Sequence, residues 1–368
     1  VVLGFAITGH CNLRCPHCIR DDVVRVQELE PELIERVLDD AIALWPGALR
    51  VSLTGGEPLI HRRFDDIITS IATRGLSYSF VSNAWHLKRI VPLLAKYPAA
   101  GIRLSLSGAD EVVHDAERGT GSYRRVLMGV ALLTRLRIPA SLSIVIDRRT
   151  RHQIREAANL AESMGCARIH FILPQPVPGS VIRDTDLAPE EWWPVAREVR
   201  ALAQEPGHAT VIQLDYGAPF DGPEIPCDTF GLHRTYVDAR GRLSTCCQLS
   251  EYGNNETDVV ADLHDTTLAL AWPTYVDRLR EQQRISAPMS ACARTEAASL
   301  PRRGSAAIEL PVLASNVVTI AESDPFDALP CIRCARATGK MEWLEAYPNS
   351  TWHAARSRIP SHLDPVLA

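Results

Sequence analysis

Cys11-Asn12-Leu13-Arg14-Cys15-Pro16-His17-Cys18 places three cysteines within eight residues, directly after the apolar run Val1 to Thr8. Thiolates at this density can share one inorganic site, because soft sulfur suits zinc and iron–sulfur clusters. Three ligands are odd for a closed structural site, which takes four. They leave one coordination position open to a further molecule. Half of a zinc site, or a pair of disulfide cysteines, are the competing readings of the octapeptide alone.

The chain has 368 residues, so one large domain plus a smaller one is the expectation. A hydrophobic fraction of 46% and a charged fraction of 23% are those of an ordinary water-soluble enzyme. Thirty-nine basic residues against 44 acidic ones give a formal charge of −5, and no long basic run points to nucleic acid. No uncharged apolar stretch approaches the length of a membrane span. No basic-then-apolar leader precedes Cys11, so the cytoplasm is the expected location. Ten cysteines in such a chain argue for metal or catalysis over disulfides.

Outward from the cysteine loop, strand and helix patterns alternate six times. Strand-like runs Val1 to Thr8, Leu49 to Thr54, Ser77 to Val81, Ile102 to Leu106, Pro139 to Ile146 and Arg168 to Leu173 are separated by segments of helical spacing. That alternation predicts an α/β fold with a parallel sheet wound by helices, open or closed into a partial barrel. Every suggestive loop follows a strand's carboxyl end, where such sheets place their sites. Gly55-Gly56-Glu57-Pro58 ends the second strand, and a Gly-Gly pair lets backbone approach a ligand closely. Ser82-Asn83 ends the third strand and Ser105-Leu106-Ser107-Gly108 the fourth. His114-Asp115-Ala116-Glu117-Arg118-Gly119 follows, with Arg118 suited to a carboxylate by its bidentate fork. Past Gly179 the texture changes. Proline and glycine punctuate 206–226, which reads as a linker. Cys227, thirteen residues, Gly241, four residues and Cys246 then frame a hairpin that brings its two cysteines together. Cys331-Ile332-Arg333-Cys334 is a second close pair, and the four thiolates make a closed zinc or iron–sulfur site. Cys166 reads as buried packing and Cys292 as a bystander.

The Cys-x3-Cys-x2-Cys spacing together with Gly55-Gly56-Glu57-Pro58 resembles the radical S-adenosylmethionine (SAM) superfamily. The Cys227–Cys246 hairpin with Cys331 and Cys334 resembles its SPASM/twitch subgroup, in the shorter twitch form with a single auxiliary cluster. The resemblance implies a partial (β/α)6 barrel over 1–205, a linker over 206–226 and an auxiliary-cluster domain over 227–345. Within that domain 284–325 is an insertion that suits a lid, and 346–368 is a tail. It implies SAM and two [4Fe-4S] clusters as cofactors, the first on Cys11, Cys15 and Cys18 and the second on Cys227, Cys246, Cys331 and Cys334. Gly55, Gly56, Glu57, Ser82, Asn83, Ser105 and Arg118 would contact SAM, with His17 against its adenine. Many relatives carry an acid where Ser107 stands, so the resemblance gives Ser107 no clear part.

Cys247, next to a cluster ligand, leaves a thiol free to pack or to donate a hydrogen atom. The donor reading resembles the radical SAM epimerases of antibiotic pathways, such as those for neomycin and avilamycin. The implied function is inversion of a sugar or cyclitol carbon in a small-molecule or oligosaccharide natural product. Flavodoxin or ferredoxin would supply electrons. The rivals are oxidation of an alcohol to a ketone, modification of a ribosomal peptide, and a zinc-stabilised binding module without catalysis.

Overall fold

The computed structural model describes residues 1–20, 24–173, 185–187, 189–215, 227–251, 256–286 and 330–340. Six parallel strands lie side by side in chain order: β1 (Val2–Thr8), β2 (Arg50–Gly55), β3 (Ser77–Ser82), β4 (Gly101–Leu106), β5 (Ala140–Val145) and β6 (Arg168–Ile172). The helices between them are α1 (Pro31–Leu44), α2 (Phe64–Thr73), α3 (Val91–Lys96), α4 (Glu111–Arg118), α5 (Ser122–Arg135) and α6 (Ile154–Ser163). Parallel neighbours joined by helices are what the alternation required.

Side-chain alternation divides each central strand into two faces. Val51 and Leu53, Tyr78 and Phe80, Ile102 and Leu104, Leu142 and Ile144, and Ile169 and Phe171 are buried in one core with the helices. On α1, Leu33, Ile34, Val37, Leu38 and Ala41 recur at helical spacing and join that core. Each such Leu or Ile contributes roughly 1.5–3 kcal/mol by leaving water. The opposite strand face carries small or polar residues instead: Ser52 and Thr54, Ser79, Arg103 and Ser105, Ser141 and Ser143, Arg168 and His170. A barrel interior of this kind is hollow and polar where a filled one would carry branched apolar chains.

Two differences from the sequence reading concern the sheet's ends. After α7 (Pro189–Gln204), β7 (Val211–Asp215) pairs in parallel with β6, so 211–215 belongs to the barrel sheet and is not linker. At the other edge β8 (Arg234–Val237) pairs in parallel with β1, and β9 (Arg242–Ser244) and β10 (Val259–Asp262) continue antiparallel. The expected hairpin is therefore part of one ten-stranded sheet. Gly241 turns it at φ +81°, its N–H donating to the Asp238 carbonyl at 3.0 Å. α8 (Leu268–Ser286) leans back on the barrel. Trp272 packs edge-on against Trp45 at 4.8 Å between ring centres, and the Leu268 N–H donates to Asp40 at 2.8 Å. α9 (Pro330–Ala337) carries Cys331 and Cys334. Among the described residues no helix is long and apolar enough to cross a membrane. Cys292, nearly all of 284–325, and 346–368 lie outside the described residues.

Candidate active site

The loop after β1 is closed at its neck. Gly9 N–H donates to the Gln27 carbonyl at 2.7 Å, and Leu29 N–H to that of Ile7 at 2.9 Å. Within it Cys15-Pro16-His17-Cys18 is a turn closed by Cys18 N–H on the Cys15 carbonyl at 3.0 Å, with Pro16 in the position its fixed φ favours. All three thiols are free and half-buried. Burial raises Cys11 and Cys15 above the usual thiol value; Cys11 feels the charge of Cys18, and Cys15 that of both Cys18 and Cys11. No three His, Cys, Asp or Glu side chains among the described residues converge on a single ion position. A cluster takes each thiolate on a different iron, so thiols spread around one loop fit it.

The loop after β2 packs on the loop after β1. Gly56 N–H donates to the Thr8 carbonyl at 2.6 Å and Glu57 N–H to that of His10 at 2.8 Å. A Cβ on Gly56 would lie 1.9 Å from the His10 carbonyl oxygen, and one on Gly55 2.2 Å from that of Thr8. The close approach expected of this glycine pair is thus to the chain's own backbone. Glu57 is 1% exposed. Its carboxylate accepts from Ser82 Oγ at 2.8 Å, Asn83 N at 2.6 Å and Leu59 N at 3.2 Å. Burial pushes it up to about 7 against those donors. The carboxyl group therefore ties the ends of β2 and β3 together and is not on the cavity wall, whereas Gly55, Gly56, Ser82 and Asn83 are. Asn83 Nδ2 also donates to Asn12 Oδ1 at 2.9 Å.

The end of α4 supplies a network that sequence reading had only in part. Asp110 caps the helix, accepting from Val113 N at 2.9 Å, and Gly119 at φ +89° ends it. Its last turn presents Glu117 and Arg118. His17 Nδ1 lies 2.8 Å from Glu117 Oε2, and Arg118 Nη2 lies 3.4 Å from His17 Nε2. A carboxylate only accepts and a guanidinium only donates, so the ring proton is on Nδ1. Arg118 Nε donates to Ser107 Oγ at 2.6 Å, which gives Ser107 a positioning part without the acid seen in relatives. Arg149 grips Glu117 and also Asp147, the latter at 2.7 Å. Burial works to raise Glu117, but its bonds to His17 and Arg149 prevail and hold it at about 2. Glu117 and Arg149 were not singled out from the sequence. Glu117 sat inside a quoted segment, but its partner is 100 residues away.

All these elements face one cavity of about 780 Å³. Cys11, Cys15, Cys18, His17, Ser105 and Arg118 line it, and so does Cys247 from the loop after β9. That loop folds over the inner face, where Cys247 packs against Ala6, Tyr236 and Ala239. Tyr236 donates to Glu251 Oε1 at 2.7 Å, and Arg20 lies 2.7 Å from Oε2 of the same carboxylate. The remaining cysteines gather behind Cys247. Cys334 feels the charge of Cys331, Cys246 and Cys227, and is pushed well up by burial. A hydrogen bond with Cys247, together with burial, raises Cys246. Lys340 and Asp258, 2% and 1% exposed, pair at 2.8 Å and fix the end of α9 to the hairpin. Cys166 is buried 3% exposed in the apolar core, as expected, and burial pushes its thiol to about 11.

Comparison with known proteins agrees with this geometry. Residues 5–161 match the profile of the Radical SAM superfamily. The AdoMet-dependent heme synthase of Methanosarcina barkeri is 26% identical over 181 residues, 47% of this chain and 51% of that protein. The Mycofactocin maturase MftC of Mycolicibacterium smegmatis is 28% identical over 171 residues, 45% of this chain and 42% of that protein. The chain thus spans about half the length of the curated relatives it matches. Streptococcus suis SuiB bound to S-adenosylmethionine superposes with a TM-score of 0.61 at 16% identity, over 74% of this chain and 66% of that one. Native anSMEcpe with bound AdoMet superposes with a TM-score of 0.62 at 13% identity, over 77% of this chain and 83% of that one. The three-thiol loop, the parallel sheet and the matched profile place residues 5–161 in the Radical SAM superfamily, whose cofactors are S-adenosylmethionine and a [4Fe-4S] cluster.

Proposed function

We propose that this chain takes a hydrogen atom from a sugar or cyclitol carbon of a natural product and returns one to the opposite face, inverting that centre. The observation that carries the reading is the position of Cys247, which lines the same cavity as Cys11, Cys15 and Cys18. Cys11, Cys15 and Cys18 would hold the cluster, which with SAM would supply a 5′-deoxyadenosyl radical able to remove a hydrogen atom from carbon. Cys247 then gives its S–H hydrogen to the substrate radical. The S–H bond breaks, a C–H bond forms, and a thiyl remains. That thiyl needs one electron and one proton to become a thiol again. The electron comes from the same external carrier, of flavodoxin or ferredoxin type, that starts the reaction.

The chain's own residues hold the parts in place. Arg118, steadied by Ser107 and His17, offers a guanidinium to the SAM carboxylate. Gly55, Gly56, Ser82, Asn83 and Ser105 line the adjoining wall, and Glu57 fixes that wall from behind. His17, turned by Glu117, stands for the adenine. Cys227, Cys246, Cys331 and Cys334 would hold the auxiliary [4Fe-4S] cluster, which would supply one-electron chemistry. The hydroxyl-rich interior suits a polyhydroxylated ring.

A second reading keeps this chemistry and replaces the sugar with a peptide. It is favoured by the likeness to the Mycofactocin maturase and to SuiB, which has been seen bound to precursor peptide SuiA. Oxidation to a ketone is the third outcome. Product mass separates inversion from oxidation: inversion leaves it unchanged, whereas oxidation makes it lighter by two hydrogens. An oxidised product would overturn inversion.

A further inference from the structure

The cavity wall is rich in arginine. The whole chain carries a formal −5, yet among the described residues seven arginines and one carboxylate, Glu251, line this space. Glu251 is already engaged by Arg20 and Tyr236. Arg118 has a use in the reading above. Arg103 and Arg168 do not, and they lie away from the cysteine loop.

Their placement follows from strand register. Arg103 on β4 pairs with Ser141 on β5, and Ser141 pairs with Arg168 on β6. The three are neighbours in one row, and all face the cavity. With strands about 4.8 Å apart, the two arginine stems start about 10 Å apart with the serine hydroxyl between them. Ser105, Ser143 and His170 form the next row on the same face. Asp215 on β7 braces the group: its Oδ2 lies 3.0 Å from Arg103 Nη1 and 2.9 Å from His170 Nδ1. The ion-pair distance places Asp215 beside the ring without a hydrogen bond closed on Nδ1. Burial lowers His170 below the usual histidine value, which keeps the ring neutral. Arg168 has no ion-pair partner among the described residues. Two guanidinium groups flanking a hydroxyl match the oxygens of a tetrahedral or planar anion.

We propose that Arg103, Ser141 and Arg168 form an anion subsite for a phosphate or carboxylate group of the substrate, with the neutral His170 ring in the adjoining row. The inference rests on this cavity being the substrate cavity. It deepens the reading above by naming a hydroxylated, negatively charged molecule as the class bound.

The test is calorimetric titration of anaerobically reconstituted holoenzyme with SAM present, at fixed ionic strength. The probes are glucose 1-phosphate, glucuronate and uncharged glucose. At least one charged probe should bind at one saturable site, at least about tenfold more tightly than glucose. A preference for glucose 1-phosphate assigns phosphate, and a preference for glucuronate assigns carboxylate. Arg168→Gln should weaken the preferred probe about tenfold or more, Arg168→Lys less, and the remote surface change Arg155→Gln not at all. Iron content and melting temperature of each variant guard against loss of fold, and Arg168 is exposed enough for its replacement to be tolerated. Charged probes that bind no better than glucose, or binding unmoved by Arg168→Gln, would overturn the subsite. Deuterium uptake through Cys247 is read separately. If it holds while anion binding fails, the subsite alone is wrong. If anion binding holds while deuterium uptake fails, inversion alone is wrong.

Discussion

Glu117 shows how far single residues were legible. The cysteine triplet could be read because its three thiols sit close in sequence. Glu117 could not, because His17 and Arg149 reach it across 100 and 32 residues. Its consequence is testable. Glu117→Gln removes the carboxylate that His17 and Arg149 share, leaves Arg149 with Asp147 alone, and frees the ring to turn. SAM affinity, measured by equilibrium dialysis of reconstituted protein, should fall about tenfold, the scale of one charge-assisted bond. The carboxylate, at about 2 in the fold and near 4.5 unfolded, contributes stability that is present above pH 4.5 and lost as pH falls towards 2. The stability gap between parent and Glu117→Gln should therefore close over that window, read as the difference in melting temperature. A constant gap would assign Glu117 a purely steric part. At the same scale, Gly56→Ala drives a methyl into the His10 carbonyl and should displace the cysteine loop. Loss of the radical cluster's irons from otherwise folded protein is the expected result.

At the scale of elements, the central strands were legible because each is a short apolar run between turn signals. β7 was missed because Val211–Asp215 alternates weakly and stands between Pro206-Gly207 and another proline-rich stretch. Its identity comes from pairing with β6, a tertiary fact. The hairpin was legible from Arg240-Gly241, but its parallel pairing with β1 was not, since no local pattern encodes strand order. α9 depends on that hairpin through Lys340 and Asp258. Lys340 Nζ also donates to the Leu249 carbonyl at 2.7 Å, and Ser244 Oγ to Asp258 Oδ2 at 2.6 Å. Asp258→Asn strands a buried ammonium, a change that typically costs about 3–5 kcal/mol. The auxiliary irons should be lost on mild chelation while the radical cluster's irons are kept. Equal loss of both would mean that the pair stabilises the chain as a whole.

At the scale of the whole molecule, Cys11, Cys15 and Cys18 line the polar cavity, the four thiols proposed for a second cluster do not, and the two sets should be separable. Changing Cys11, Cys15 and Cys18 together to Ala should halve the iron content and abolish deoxyadenosine formation. Changing Cys331 and Cys334 to Ala should also halve it, through the other cluster, and Cys166→Ala should change nothing. The central claim is that Cys247 returns a hydrogen atom across this cavity. Its most direct measurement is the deuterium content of product formed in heavy water, with parent enzyme and with Cys247→Ser. A thiol proton exchanges with solvent, so the parent should give product carrying one deuterium at the inverted carbon. Cys247→Ser should still cleave SAM when substrate is present and should give no inverted product. Inverted product without deuterium, or full turnover by Cys247→Ser, would contradict the account.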